Sequence, residues 1–386
     1  MNTFELDSKY VAPTYRRFPV EIVSGKGARV FDCDGKEYID MGSGIATTTF
    51  GHADTEWVAA VTAQLNSFAH TSNLYYTSPC ARLAETLCER TGMCRVFFGN
   101  SGAEANEGAI KAARKYSFDK YGEGRHKIVT LQNSFHGRTI TTLAATGQEV
   151  FHTTFMPFTE GFCHVPANDT DAMLSAMTDD VCAVMIELVQ GEGGVNALNR
   201  DYVSAVAAAC AERDILLIVD EVQTGNGRTG TLYAFEQFAV KPDIVTTAKG
   251  LGGGLPIGAV MLGEKVKDTL SPGSHGSTFG GNPVCAAGAL NVISRLDGDF
   301  LASVREKSDY IIEKLNNIPG VISVSGLGLM LGVKAEKPTP EIISAGIERG
   351  VLFLSAKDKL RLLPPLNITY AEIDRALSVL AEILSE

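Results

Sequence analysis

The 386-residue chain is 45% apolar and 20% charged, the composition of an ordinary globular protein, and its length favours two domains over a single core. Its 45 acidic and 34 basic residues give a net charge of −11, and no basic block interrupts that balance, which argues against nucleic-acid binding. No uncharged apolar run approaches a membrane span, and the opening Met1-Asn-Thr-Phe-Glu-Leu-Asp lacks the basic-then-apolar pattern of a secretory leader, so neither membrane insertion nor export is expected.

The first 45 residues read as an arm and a small hairpin. Val20-Glu-Ile-Val and Ala28-Arg-Val-Phe-Asp are short strands, and Asp32-Cys-Asp-Gly35 is a turn. Residues 55–68 and 79–90 carry helical periodicity. From there strand and helix alternate. Arg95-Val-Phe-Phe precedes a helix from Ala103 to about Tyr121, then come Lys127-Ile-Val-Thr-Leu, a helix at 170–177, and Cys182-Ala-Val-Met-Ile-Glu187. A helix at 200–213 and the strands Ile215–Asp220 and Ile244–Thr247 complete the series. Such alternation predicts an α/β fold with a mostly parallel sheet flanked by helices. Beyond Pro283 lie a long helix and an α+β tail with strands at Val321-Ile-Ser-Val, Gly350-Val-Leu-Phe-Leu and Leu360-Arg-Leu-Leu, closed by an amphipathic helix at 370–385. The tail is expected to pack with the N-terminal hairpin. This gives a large domain at 46–285 and a smaller discontinuous α+β domain from 1–45 and 286–386. The eight cysteines form no Cys-x-x-Cys pair and read as small core residues of a reducing cytoplasm, and the seven histidines show no ligand spacing, so no metal site is expected.

Chemistry concentrates at two strand ends. Asp220 closes the apolar run Ile215-Leu-Leu-Ile-Val219 and opens the tetrad Asp220-Glu221-Val222-Gln223. Lys249 follows 29 residues later at the end of Asp243-Ile-Val-Thr-Thr247, ahead of Gly250-Leu-Gly-Gly-Gly254. Alone, Asp220 reads as a loop-capping carboxylate and Lys249 as a solvated cation. Together they occupy the carboxyl edge of a parallel sheet, where open α/β sheets bind ligands. Pyridoxal phosphate requires that pair: a lysine for the Schiff base, and a carboxylate that keeps the pyridine nitrogen protonated. Apolar neighbours desolvate the lysine, lower its pKa and make it nucleophilic.

Other motifs fit the same crevice. Asn100-Ser101-Gly102-Ala103-Glu104 leads from a strand into a helix, whose free amides suit a phosphate, although Ser101 could serve only as an N-cap. Phe135, in Asn133-Ser-Phe-His-Gly-Arg138, is a core aromatic by default but could stack on a flat ring, and Arg138 offers a fork for a carboxylate. Arg361 sits in the apolar Leu360-Arg-Leu-Leu and needs a partner, and Glu192, in the glycine-rich Gln190-Gly-Glu-Gly-Gly194, could supply it. An arginine facing a removable glutamate suits a site that accepts two different substrates in turn. Gly225-Asn-Gly-Arg-Thr-Gly230 matches G-x-G-x-x-G, but it neither starts at the strand end nor opens a helix, so a nicotinamide site is rejected.

These motifs resemble the class III aminotransferases among fold type I pyridoxal-phosphate enzymes. The resemblance spans about Thr14 to the C-terminus. It rests on Ser101-Gly-Ala-Glu-Ala-Asn106, Phe135-His-Gly-Arg138, Gln190-Gly-Glu-Gly-Gly194, Asp220-Glu-Val-Gln-Thr-Gly225, Gly227-Arg-Thr-Gly230, Ala248-Lys-Gly-Leu-Gly-Gly-Gly254 and Gly273-Ser-His-Gly-Ser-Thr-Phe-Gly-Gly-Asn-Pro283. It implies that Lys249 carries the cofactor and the proton, Asp220 faces the ring nitrogen, and Gln223 lies near the ring hydroxyl. Glu221 and Val222 complete that cofactor strip, and Phe135 stacks on the ring. Ser101, Gly102 and Ala103 hold the phosphate, with Thr278 reaching over from a partner subunit. Arg138 and Ser277 contact the amino donor. Arg361 takes the carboxylate of 2-oxoglutarate, and Glu192 neutralises it when the donor is bound. Two positions depart from the family pattern: Glu187-Leu188 stands for Glu-Pro, and Ala103 for a frequent Thr.

Within the class the resemblance implies transfer of the terminal amino group of N2-acetylornithine to 2-oxoglutarate, by a ping-pong route, in a cytoplasmic homodimer with shared active sites. Ornithine, succinylornithine, acetyl-lysine or 4-aminobutyrate are alternative donors. Class III mutases need no 2-oxoglutarate, and the Arg361–Glu192 pairing favours transamination over them. A non-catalytic regulator on this fold would carry a basic extension and need not keep Lys249 with Asp220.

Overall fold

The computed structural model describes residues 1–386. Its centre is a seven-stranded sheet in the order Arg95–Gly99, Gly258–Leu262, Ile244–Thr247, Leu216–Asp220, Val181–Ile186, Lys127–Leu131, Phe162–Val165. The neighbouring pairs from Ile244–Thr247 to Phe162–Val165 are all parallel. Gly258–Leu262 runs against both of its neighbours. This antiparallel strand is absent from the expected alternation.

Both faces of the sheet are covered, which is why its strands read as continuous apolar runs. Successive side chains point to opposite faces. Ile128, Ala183, Met185, Leu216 and Ile218 therefore pack with Ala105, Ala109, Ile110, Ala112 and Ala113 of the helix Gly102–Tyr121. Val129, Val184, Ile186, Leu217 and Val219 belong to the larger core on the other face. The helices Thr55–Ser67, Ser78–Thr91 and Pro283–Arg295 pack together on that larger core.

Two smaller sheets flank the centre. Ile22–Lys26, Arg29–Asp32 and Glu37–Asp40 form an antiparallel meander, and Val351–Leu352 joins it in parallel from the far end of the chain. Val321–Leu327, Met330–Ala335, Lys359–Leu362 and Leu354–Ala356 form the second sheet. The closing helix Tyr370–Ser385 buries Ile373, Leu377, Leu380 and Ile383 at three- and four-residue spacing. Each such side chain, fully buried, contributes roughly 1.5–3 kcal/mol.

The structure corrects the sequence reading in several places. The arm begins with a helix, Thr3–Tyr10, closed by an Asn2–Glu5 capping box. The long helix after Pro283 is two helices, because Asp297 caps Gly298–Asn316 by accepting from Phe300 N. Of the eight cysteines only Cys182, Cys210 and Cys285 are buried, while Cys33 and Cys163 are exposed. Cys33 sits in the turn after Arg29–Asp32, and Cys163 lies on the outermost strand of the large sheet.

Candidate active site

Asp220 ends its strand almost fully buried, and its carboxylate is held from three directions. Oδ2 accepts from Asn106 Nδ2 at 2.8 Å and from His136 Nδ1 at 2.8 Å, and Oδ1 accepts from Val222 N at 3.0 Å. Asn106 also donates to His136 O at 2.7 Å, closing the triangle. Burial works against a charged His136, but the bond and charge of Asp220 outweigh it and the imidazole pKa is raised. Nδ1 is therefore the donor, and His136 Nε2 is buried without a partner.

Lys249 follows Ile244–Thr247 and opens a 3-10 turn, Lys249–Gly252. Its own φ is +43°, a left-handed conformation that costs a non-glycine residue energy and concentrates at functional sites. Part of its surface opens on a cavity, yet the amine is deep among the site atoms. Burial lowers its pKa, which the charge of Glu192 only partly opposes.

The cavity, about 240 Å³, is lined by Gly102, Ala103, Asn106, Phe135, His136, Gly137, Arg138, Glu187, Asp220, Val222, Gln223 and Lys249. It opens at the carboxyl ends of the strands. A larger polar depression of about 770 Å³, between Tyr121 and Arg213, lies at the opposite ends of the strands and holds none of these groups. One wall is the start of the helix Gly102–Tyr121. The amides of Gly102 and Ala103 precede the first helical hydrogen bond, Ala105 N to Ser101 O, and so remain open to a ligand. A Cβ on Gly102 would lie 2.6 Å from Val222 Cγ1, so only glycine lets this backbone close against the Asp220 strip.

At the rim, the buried Arg361 donates through Nη1 to Glu192 Oε1 at 2.5 Å and to Gln223 Oε1 at 3.2 Å. Burial alone would raise the Glu192 pKa, but the charge of Arg361 and its hydrogen bond hold it below the ordinary carboxylate range. Arg361 Nε remains buried without a partner. The exposed Arg138 lies over Phe151 at 4.2 Å and over Phe135 at 5.5 Å.

Several expected residues stand elsewhere. Glu221 turns away from the cavity and is fully buried, accepting from Phe235 N at 2.8 Å and from Thr224 Oγ1. Ser101 caps the helix by accepting from Glu104 N at 3.2 Å and does not line the cavity. Ser277 Oγ accepts from Asn100 Nδ2 at 3.1 Å and from Gly280 N at 3.0 Å, and Thr278 is exposed beside it, so neither reaches this cavity within one chain. Conversely, Asn106, His136 and Glu187 line the cavity although the sequence reading gave them no role. Asn106 and His136 lay inside quoted motifs, and Glu187 is a carboxylate at a strand end, as Asp220 is. The Gly225–Gly230 run is a packed turn. Gly227 abuts Leu296, Leu301 and Leu366, and the buried Arg228 donates to Leu329 O and Pro364 O. Burial pushes Arg228 down to about 9.

A family model described as aminotransferase class III matches residues 10–384. The chain belongs to the class III aminotransferases. These are pyridoxal-phosphate enzymes, and the residues here fit that group: a desolvated lysine, a fixed carboxylate and open helix amides face one cavity. The acetylornithine aminotransferase of Haemophilus ducreyi is 54% identical over 385 residues, 99% of this chain and 98% of that protein. That of Methanocaldococcus jannaschii is 46% identical over 100% of this chain and 98% of its own. Among solved structures, the ornithine aminotransferase of Toxoplasma gondii superposes with a TM-score of 0.94 at 33% identity, covering 99% of this chain and 94% of its own. The N-acetylornithine aminotransferase of Stenotrophomonas maltophilia does so at 0.86 and 37%, covering 99% and 98%.

Proposed function

We propose that this chain moves the terminal amino group of N2-acetylornithine to 2-oxoglutarate, giving N-acetylglutamate 5-semialdehyde and glutamate, as a step of arginine biosynthesis. The observation that carries this reading is the pairing of the buried Arg361 with Glu192 beside a cavity holding both Lys249 and Asp220. Relatives 41–54% identical over nearly the whole chain, all named acetylornithine aminotransferase, support it.

Pyridoxal phosphate, when bound, supplies an electron sink that lets a proton leave and return at carbon. Lys249 Nζ holds the group and carries that proton, because desolvation keeps a useful fraction of it neutral. Asp220 keeps the ring nitrogen protonated, and Asn106 with His136 keeps Asp220 in place. With the group bound, Phe135 would cover one ring face, Gln223 would lie beside the ring hydroxyl with Val222 next to it, and the amides of Gly102 and Ala103 would take the phosphate. Arg361 binds the carboxylate of 2-oxoglutarate beside its keto carbon, where the donor carries hydrogen. Glu192 replaces that carboxylate when the donor, neutral at that end, is bound. Arg138 forks the donor's carboxylate, and Ser277, which lies outside its own chain's cavity, would join it only across a dimer. Thr278 completes the phosphate site of a partner subunit in a homodimer. The chain divides into a large unit at 46–285 and a small one from 1–45 and 286–386, and it acts in the cytoplasm. No helix is long and apolar enough to cross a membrane.

The test is the rate of the first half-reaction with N2-acetylornithine, ornithine and 4-aminobutyrate, followed by cofactor absorbance. The free α-ammonium of ornithine would stand near Arg138 and be repelled. Acetylornithine should therefore be preferred over ornithine by at least about tenfold in kcat/KM, or ~1.4 kcal/mol. The close superposition on an ornithine aminotransferase makes ornithine the competitor to measure. Equal rates for the two donors would overturn the assignment.

A further inference from the structure

Glu187 follows the buried strand Val181–Ile186 and is itself buried, with its carboxylate on the cavity wall. Its two oxygens serve two different loops. Oε2 accepts from Phe135 N at 2.8 Å, and Oε1 accepts from Gly191 N at 3.3 Å. Phe135 is the aromatic wall of the cavity, and Gly191 immediately precedes Glu192. The loops are also stitched directly, since Gln190 Nε2 donates to Gln132 O at 2.8 Å. They lie too close for side chains between them. A Cβ on Gly193 would sit 2.5 Å from Asn133 O. Burial raises the Glu187 pKa, and the two amides oppose that rise.

We propose that Glu187 is a positioning residue for substrate selection: its carboxylate locks the Phe135 loop to the Glu192 loop and so keeps Glu192 registered on Arg361. This rests on the reading that Arg361 binds the 2-oxoglutarate carboxylate. The two bonds need two acceptor oxygens. A glutamine keeps one and turns an N–H₂ toward the other amide, leaving a buried donor unsatisfied. The loop then loosens and Glu192 no longer caps Arg361. A donor that is neutral at that end meets an uncapped buried cation. A dicarboxylate brings its own carboxylate and is indifferent to the change.

The experiment uses purified holoenzyme, wild type and Glu187→Gln. With N2-acetylornithine, kcat/KM of the first half-reaction should fall at least about tenfold, the size of one lost buried hydrogen bond. With 2-oxoglutarate, the second half-reaction should fall at least about threefold less, since both substrates need the Phe135 loop but only the donor needs Glu192 on Arg361. Equal losses in both half-reactions mean a merely structural residue and overturn the proposal. Amide hydrogen exchange gives a readout apart from turnover. In Glu187→Gln, residues 132–137 and 189–194 should exchange faster together, while 216–220 stays protected. In the wild type, needing no variant, the Phe135 and Gly191 amides should exchange at a common rate. Rates differing by more than about tenfold would show that one carboxylate does not hold both and would overturn the lock. If the wild type turned over neither substrate, the proposed function would fail, and the exchange results would still decide the role of Glu187.

Discussion

A lysine amine that must attack a carbonyl and then shuttle a proton cannot stay an ordinary solvated cation. Lys249 meets that need through burial, which lowers its pKa against the opposing charges of Glu192 and Asp220. Lys249→Ala should therefore keep the fold and lose turnover, since general acid–base transfer alone contributes roughly 10²–10⁴-fold. More than a few per cent of wild-type rate, measured without added amine, would remove Lys249 from the role. Glu221 gives a second prediction, on stability. Its carboxyl is fully buried, and burial raises its pKa from 4.5 to about 7. A raised acid pKa means that the native state holds the proton more tightly than the unfolded chain. The stability this contributes is complete below about pH 4.5 and is lost as pH rises through about 7. Glu221→Gln does not titrate, so urea unfolding at pH 5 and pH 8 should show the variant gaining on the wild type by up to about 3 kcal/mol at the higher pH. An unchanged gap would show that Glu221 does not titrate in this window. The same residue marks a limit of sequence reading. Asp220 and Glu221 are neighbours at a strand end, and neighbours leave a strand on opposite faces, so one motif sends one carboxylate to the cavity and one to the core. Asn106, His136 and Glu187 escaped notice for the converse reason: their partners, Asp220, Phe135 and Gly191, are brought to them by the fold.

The strand Gly258–Leu262 shows how an element positions the anion site. It runs antiparallel between Arg95–Gly99 and Ile244–Thr247, with Gly258 opposite Gly99. A Cβ on Gly258 would overlap the Ser101 carbonyl, the turn that starts the helix Gly102–Tyr121. Gly258→Ala should push that turn outward and misdirect the Gly102 and Ala103 amides. The expected result is weaker cofactor binding by about tenfold or more, read by titrating the cofactor-free protein, with little loss of helix content by circular dichroism. Unchanged cofactor affinity would mean that the turn yields freely. Like the edge strand Phe162–Val165, this strand is missing from the sequence reading. Its neighbours follow the strand–helix alternation, where long apolar runs alternate with helical periodicity. Gly258–Leu262 joins Ile244–Thr247 through the glycine-rich Gly250–Gly254 with no helix between, and it is flanked by Gly258 and Gly263, so no turn or period signals it. The Asp220 and Lys249 strand ends were legible because each ends an unbroken apolar run. The 339–348 helix was not, because its opening Pro338-Thr-Pro340 reads as a loop.

At the scale of the whole molecule, the proposed homodimer would complete a site to which one chain brings no residue of its own 273–282 loop. Thr278 and Phe279 are exposed, and Phe68, Leu74, Tyr75 and Tyr76 expose apolar surface. The loops are linked, since Asn73 Nδ2 donates to Ser277 O and Gly280 O, both at 2.9 Å. Apolar exposure of this kind is what an interface would cover, and a two-fold dimer would place the same loop of each chain against the other. The 273–282 loop carries no group that reaches its own cavity, which is expected if Thr278 serves the partner's phosphate site. Complementation separates this from a site built within one chain. Dimers of Lys249→Ala should be inactive, and dimers of Thr278→Ala should bind cofactor weakly. Co-expression with two different tags isolates the mixed dimer. If sites are shared, one of its two sites has both residues intact and the other lacks both. Activity at limiting cofactor should then approach half of the wild type. If Thr278 acts within its own chain, one site lacks the lysine and the other lacks the threonine, and activity can reach only half of the Thr278→Ala dimer. Light scattering must also give twice the 41.2 kDa of the chain. An active species at the monomer mass would remove the shared site altogether.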